Sequence, residues 1–463
     1  MKKVLVALVV LTMVCLGSMA FAAADVSVGG SVQIRSRDFD NLRFSNTDPS
    51  GSYADTQERV ELDVNVKAGD DVKGKIALWN DFNDWGTIEQ QQGNGFGNSL
   101  SSSPAADHFG FREAWVNFNV PGIPVNVTAG HQLLALNQGW FLRNKHFGDD
   151  AWVIANVTGP NTAAFVNIVA QKNNAAEADS AVDAYALLDV FKIDDSNMVM
   201  VDLSYVKAGL SSVVPYPPLG SAVAEFPNIA GSNLYNLGLG YTGKIGPLNL
   251  KVEADAQAGK LENPATSEPK FEGNQIVIQG NVALDPVTIE FTLARGSGTK
   301  QPSTLVGAPG GPNVGQYINF LDVDPHYTFL YEYKTITAAG ARNTGFANTT
   351  AASIGANANV SKSVNIGLDV WYLLATQKES TPLANATNDT GSPSNYVGTE
   401  VDATINWKLY DNLTWNWNLG WFKPGSCMSA PGVADSTSTA VAGSVEGMTH
   451  YITGIQGILS LNF

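Results

Sequence analysis

The sequence predicts an all-β chain, a transmembrane antiparallel β-barrel of about 16–18 strands with short periplasmic turns and long extracellular loops. Three observations predict it. Apolar and polar residues alternate in segments of about ten, the length a tilted strand needs to cross a bilayer. Very short turns take turns with long polar stretches. Beyond the N-terminus, no segment approaches the roughly 20 continuous apolar residues of a membrane helix.

The chain opens Met1-Lys2-Lys3, runs through apolar residues from Val4 to Leu16, and reaches Gly17-Ser18-Met19-Ala20-Phe21-Ala22. Charged, apolar and small residues in that order make a secretory signal peptide. Cleavage after Ala22 or after Ala24 places small residues correctly. Cleavage after Ala24 is preferred, so residues 1–24 are read as signal peptide and 25–463 as a single outer-membrane barrel domain. A lipid anchor on Cys15 is disfavoured, because Val14 stands where a small side chain is wanted. The exported chain then holds one cysteine, Cys427, which excludes an intramolecular disulfide and CxxCH haem attachment. The formal net charge of -16 becomes about -18 when Lys2 and Lys3 leave, and such acidity argues against nucleic-acid partners.

Alternation starts at about Val26. Val28, Val32 and Ile34 oppose Ser27, Ser31, Gln33, Arg35 and Arg37; Val60, Leu62, Val64 and Val66 oppose Arg59, Glu61, Asp63 and Asn65. After Ala68-Gly69-Asp70-Asp71, the residues Val72, Ile76 and Leu78 oppose Lys73 and Lys75. The pattern returns where Leu248, Leu250, Val252, Ala254 and Ala256 oppose Asn249, Lys251, Glu253, Asp255 and Gln257. It returns again where Val401, Ala403, Ile405, Trp407 and Leu409 oppose Glu400, Asp402, Thr404, Asn406 and Lys408, and once more in the run Leu413, Trp415, Trp417, Leu419 and Trp421. Short turns are expected at Ala68 to Asp71, Pro121 to Pro124, Gly243 to Gly246, Asp285-Pro286, Ser361-Lys362 and Tyr410-Asp411. Long loops are expected over Asp81 to Gly110, Ala208 to Gly231, Gly296 to Pro325, Gln377 to Gly398 and Pro424 to Glu446. The last strand carries Tyr451, Ile455, Leu459, Leu461 and Phe463 on one face. Its terminal aromatic has the form of an outer-membrane assembly signal, so the barrel-assembly machinery is an expected partner through Phe463.

Hydrocarbon offers no partner to an unpaired amide, so such strands must close into a barrel with the apolar face toward lipid and the polar face toward a lumen. Trp407, Trp415, Trp417, Trp421 and Tyr372 suit interfacial girdles. Parity assigns Arg35, Arg37, Arg59, Lys73, Lys75, Lys251 and Lys408 to the pore lining, with Glu61, Asp63, Glu113, Asp202, Glu253, Asp255, Glu290, Asp369, Glu400 and Asp402. Facing basic and acidic ladders would set a transverse field that orients dipolar solutes, and the acidic excess tilts the expectation to cations or neutral solutes. The plainer reading is that these charges solvate a wide lumen and pair across neighbouring strands. Arg112 and Glu113 are also assigned to the lining, with Arg143 from the stretch Arg143-Asn144-Lys145-His146. That stretch is read as an exposed loop of mixed charge, the alternative being a loop folded inward to narrow the pore.

Two stretches resemble the alginate-export-like outer-membrane porins. One joins Phe111-Arg112-Glu113-Ala114-Trp115-Val116, Val127-Thr128-Ala129-Gly130-His131-Gln132 and Phe147-Gly148-Asp149-Asp150-Ala151. The other joins Gly398-Thr399-Glu400-Val401-Asp402, Leu409-Tyr410-Asp411-Asn412-Leu413 and Gly420-Trp421-Phe422-Lys423-Pro424-Gly425. The resemblance implies a barrel porin and, at its finest, oligosaccharide export. His131 stands where that family has arginine, and the arginine-rich path that suits a polyuronate is missing.

No catalytic chemistry is indicated. His108, His131, His146, His326 and His450 have no ligand spacing, and no GxSxG, HExxH or P-loop pattern stands in its required context. Asp149-Asp150 and Asp194-Asp195 are ordinary turn pairs, so no metal or cofactor is assigned. The expected function is passive diffusion of small hydrophilic solutes or ions, with outer-membrane lipid and lipopolysaccharide as surroundings and a homotrimer slightly preferred to a monomer. The alternatives are a plugged barrel acting through its loops, or the sheath of an electron-transfer complex.

Overall fold

The computed structural model describes residues 24–41, 52–84, 110–171, 181–209, 231–261, 269–299, 313–322, 324–332, 345–377, 394–426 and 451–463. Residues 1–23, which hold nearly all of the expected signal peptide (1–24), and Cys427, His108 and His450 lie outside the described residues. The strands in chain order are β1 (Ala24–Asp40), β2 (Tyr53–Ala68), β3 (Val72–Asp84), β4 (Gly110–Asn119), β5 (Val125–Ala135), β6 (Leu142–Thr158), β7 (Asn161–Gln171), β8 (Val182–Lys192), β9 (Met198–Ala208) and β10 (Ser232–Ile245). They continue with β11 (Leu248–Leu261), β12 (Asn274–Leu284), β13 (Val287–Gly296), β14 (Phe320–Leu321), β15 (Thr349–Asn359), β16 (Val364–Ala375), β17 (Tyr396–Tyr410), β18 (Leu413–Pro424) and β19 (Ile452–Asn462). All but β14 form the wall, an antiparallel barrel of eighteen strands in which each pairs with its sequence neighbours.

Closure is made by β1, which pairs with β2 on one edge and β19 on the other, so that Val32 faces both Val60 and Leu461. At the seam Gly30 and Phe463 exchange backbone hydrogen bonds of 2.9 and 3.0 Å. A Cβ on Gly30 would lie 2.3 Å from the Glu61 carbonyl oxygen, so this close approach requires glycine. No edge is left for lipid to meet.

The turn expected at Asp285-Pro286 is found, that at Gly243 to Gly246 is tightened to Gly246-Pro247 because β10 runs on to Ile245, and that at Tyr410-Asp411 is shifted to Asp411-Asn412; Gly159-Pro160 is a further two-residue turn that the sequence reading did not single out. The lipid face carries the predicted alternation: Val28, Ile76, Leu187, Leu203, Leu237 and Leu368 are all exposed on it. Tyr185, Tyr205 and Tyr235 stack side by side across β8–β10, with centroids 6.3 and 4.8 Å apart, and Trp407 stacks on Trp415 at 6.5 Å. These rings have the apolar body and polar tip that membrane interfaces favour.

The inner face departs from a simple polar lining. On β6–β10 the lumen side holds Ala151, Val166, Ile168, Ala186, Val206 and Leu234, all buried. They pack against Leu136, Phe141, Leu142, Phe271, Val314, Tyr317 and Phe320, which belong to connections folded into the barrel. A second inner cluster joins Phe39, Val277, Trp371, Leu373, Phe422 and Ile452 on the wall to Trp140, Leu330 and Phe346. Polar-in alternation therefore fails where an inward segment replaces water as the neighbour.

Placing arginine on the lipid face should be costly where the same band is deepest. Leu203→Arg is expected to destabilise the barrel by about 2–4 kcal/mol, read as a lower urea midpoint for unfolding from lipid vesicles.

Candidate functional site

Two segments cross the lumen. The first is the end of the β5–β6 hairpin. Residues Ala151–Thr158 of β6 pair with β7, but Leu142 and Arg143 pair in parallel with Phe320 and Leu321 of β14. The upper part of β6 has thus left the wall, and β14 takes the edge that β7 would have covered. The second segment comprises residues 313–322 and 324–332, in the connection between β13 and β15. The stretch Arg143-Asn144-Lys145-His146 is therefore strand within the lumen and not the exposed loop expected from its mixed charge.

Inward backbone brings amides that need acceptors. Glu253 of β11 accepts Gln138 N at 2.7 Å and both Trp140 N and Phe141 N at 3.1 Å, holding the hairpin tip. Glu400 of β17 accepts Leu330 N at 2.5 Å and Tyr331 N at 2.9 Å, and Asp402 accepts Phe329 N at 3.3 Å. Asp322 accepts Lys145 N at 2.9 Å and His146 N at 3.2 Å, tying the two segments together. Gln257 bonds both backbone groups of Ile318, at 2.6 and 2.9 Å. Within the second segment, Glu332 accepts His326 N at 2.7 Å, Thr328 N at 2.9 Å and Tyr327 N.

Fifteen of the predicted lining residues sort into three groups. On β1–β4, the Arg37 guanidinium pairs with Asp55, and Arg35 Nε donates to Gln57 at 3.1 Å. Lys75 Nζ lies 2.6 Å from Glu113 and 3.3 Å from Asp63, and Arg112 lies 2.8 Å from Glu61. Arg112 also donates to the carbonyls of Lys145 at 2.8 Å and His146 at 3.3 Å, so it meets the Arg143 stretch, while Glu113 is engaged with Lys75 and Trp115. Arg59 and Arg112 flank the buried Trp79 ring at 4.7 and 5.1 Å, a cation–π arrangement that sequence parity could not reveal. The second group, Lys73, Lys251 and Lys408, stands toward the turn end, where Lys408 pairs with Asp411 at 2.8 Å. The third, Glu253, Asp255, Glu400 and Asp402, is almost entirely buried under the inward segments. Glu253, Glu400 and Asp402 anchor the inward segments and Asp255 bonds Asn236 and Gln275 of the wall, so counting the four as charges that a solute meets overstates the acidity of the path.

Sequence reasoning missed Asp322, Asp324 and Glu332, because no strand period marks them. Packing around Asp324 would raise its carboxyl, but the hydrogen bond and charge of His146, with Arg59 and His326 nearby, outweigh it and hold the group at about 2. His146 Nδ1 lies 3.0 Å from that carboxylate. His131, singled out as a departure from the alginate-export pattern, is engaged locally with Asp150 at 2.9 Å and the Phe147 carbonyl at 2.7 Å.

No family model and no curated protein matches the chain. Solved structures do. Pseudomonas aeruginosa OccK9 (OpdG) is similar with a TM-score of 0.55 at 11% identity, covering 95% of this chain and 98% of that one. A BenF-like porin from Pseudomonas fluorescens Pf-5 gives 0.53 at 10% identity, with 95% and 98% covered. Pseudomonas aeruginosa OccK2 (OpdF) in complex with glucuronate gives 0.52 at 10% identity, with 95% and 96% covered. The chain has the fold of Gram-negative outer-membrane β-barrel porins.

Removing one anchor should loosen one segment and spare the wall. In Glu400→Ala the amides of Leu330 and Tyr331 lose their acceptor, at about 1–3 kcal/mol. Their hydrogen exchange should quicken by one to two orders of magnitude, while the strand amides of β16–β18 stay protected.

Proposed function

We propose that this chain is an outer-membrane diffusion porin, non-enzymatic, that passes small hydrophilic solutes through a lumen narrowed by the β5–β6 hairpin tip and segment 313–332. The observation that carries it is a barrel with an apolar outer face whose inner connections are fixed by carboxylate anchors to both sides of the lumen, the construction of a set aperture. Outer-membrane lipid and lipopolysaccharide are the surroundings that the exposed apolar band fits, and Phe463, exposed at the end of β19, is offered to the assembly machinery.

Selectivity follows from which charges remain accessible. Arg59, Arg112, Lys75 and their acidic partners line β2–β4, while Glu290 and half-buried Asp369 lie on β13 and β16, so dipolar solutes are oriented between the two sides. The cation preference suggested by the acidic excess weakens, because Glu253, Asp255, Glu400 and Asp402 are covered.

Export of an oligosaccharide is the finer reading that the alginate-export-like resemblance supports; its two stretches supply β4–β6 and the β17–β18 hairpin, next to both inward segments. A plugged barrel acting through its loops or a bound partner is supported by the two apolar clusters inside the lumen.

Planar-bilayer recording separates these readings. Stepwise ohmic openings are expected, and a silent membrane holding folded barrels would sink the porin reading in favour of the plugged one. Asp369→Asn should lower the cation-to-anion permeability ratio roughly twofold, the effect of one charge about 10 Å away across water.

A further inference from the structure

The outer face of the barrel carries a basic row just beyond its tyrosine stack. Cross-strand pairing runs through Asp183, Lys207, Asn233, Lys260 and Lys270, from β8 to β11 and on to the chain that follows β11. All five share the lipid side, because their neighbours along the chain, Val182, Val206, Leu234, Leu261 and Phe271, are buried in the lumen cluster. Arg295, exposed at the same end of β13, donates to Asn274 at 3.4 Å and widens the patch. The acids of this sector are Asp183, opposite Lys207, and Glu272, which accepts from Asn313 at 2.5 Å. Bases outnumber them here, the reverse of a chain whose formal net charge is -16.

The depth of the row points to what meets it. Tyr205 and Tyr235 lie two residues nearer the bilayer centre than Lys207 and Asn233 on the same face, and the Tyr205 hydroxyl donates to Asn233 Oδ1 at 2.7 Å. Such rings mark where hydrocarbon gives way to headgroups, so the row stands at headgroup level on the side of the long connections. Lys260 directly faces Lys270, and like charges so placed repel until an anion lies over them. Lys207 and Lys270 are exposed, with no ion-pair partner among the described residues. An ammonium row of this kind suits phosphate. With strands about 4.8 Å apart, the row spans about 14 Å from Lys207 to Lys270, so a headgroup with one phosphate meets one end of it and a headgroup with two meets both.

We propose that this row binds the doubly phosphorylated sugar headgroup of lipopolysaccharide, whose acyl chains then lie along Tyr205, Tyr235 and the exposed Leu203 and Leu237 beneath. The proposal rests on the reading of the chain as an outer-membrane barrel, and it gives one sector of the wall a specific lipid where that reading gives only surroundings.

The test is titration of lipid A carrying both phosphates into the refolded full barrel in detergent, with bound copies counted by native mass spectrometry. One lipid A per barrel is expected to bind more tightly than any further copies. Each base near a charged lipid surface is worth about fivefold in binding, so Lys207→Gln combined with Lys270→Gln should weaken that first copy at least tenfold. Lys423→Gln, which removes an exposed base at the same end of β18, should bind as the parent does. Circular dichroism checks that both variants fold, as expected for side chains outside the hydrocarbon. Equal binding by the double variant would overturn the proposal. So would equal binding of lipid A stripped of its phosphates, or of phosphatidylglycerol with its single phosphate. Silence in planar bilayers bears on the porin reading alone, and these binding results bear on this site alone.

Discussion

The whole structure depends on one requirement: every backbone amide within hydrocarbon must find its partner inside the protein. Closure of β1 onto β19 meets it, and Gly30 and Phe463 complete the ladder at the seam. Once the cylinder is closed, its outside is settled by lipid. The apolar rows on β8–β10 and the Tyr185, Tyr205 and Tyr235 stack follow from that solvent and need no further cause.

Closure creates a second problem, because eighteen strands enclose more space than side chains alone can fill. The chain fills part of it with its own connections. A segment folded inward leaves the water that would have satisfied its amides, and the acids of the wall take over as acceptors. Glu253 does this for the hairpin tip, while Glu400 and Asp402 do it for the turn at Phe329–Tyr331. Each such hydrogen bond contributes about 0.5–1.5 kcal/mol, and losing one would leave a buried amide unsatisfied at a larger cost. Apolar contacts complete the fastening, with Phe141 edge-on to Phe320 at 5.5 Å and Tyr331 near Phe422 at 5.8 Å.

Charge is divided by side as a result. On β1–β4 bases and acids are paired closely, and Trp79 is held between Arg59 and Arg112. Along β9–β17 the acids Asp202, Glu253, Asp255, Glu400 and Asp402 are buried on the inner wall, and Asp369 is directly opposite Asp402. Such repulsion is tolerated only where hydrogen bonds, protons or a cation relieve it. The acids are therefore parts of the wall's internal construction first and features of the solute path second.

Much was legible in the sequence. The alternation of Val60, Leu62, Val64 and Val66 against Arg59, Glu61, Asp63 and Asn65 determined the strands and their faces, since a strand has period two and lipid accepts only one of its faces. The two-residue turns determined the hairpins. The inward-folded segments were not legible, because Ile168, Val206 and Leu234 are apolar on the lumen side for the sake of Tyr317, Phe320 and Val314, residues far away in the chain. Nor could parity say that Glu253 and Glu400 would be buried while Lys251 and Lys408 stay exposed. Local period fixes which way a side chain points; only the return of a distant segment decides whether it meets water, a solute or another part of the same chain.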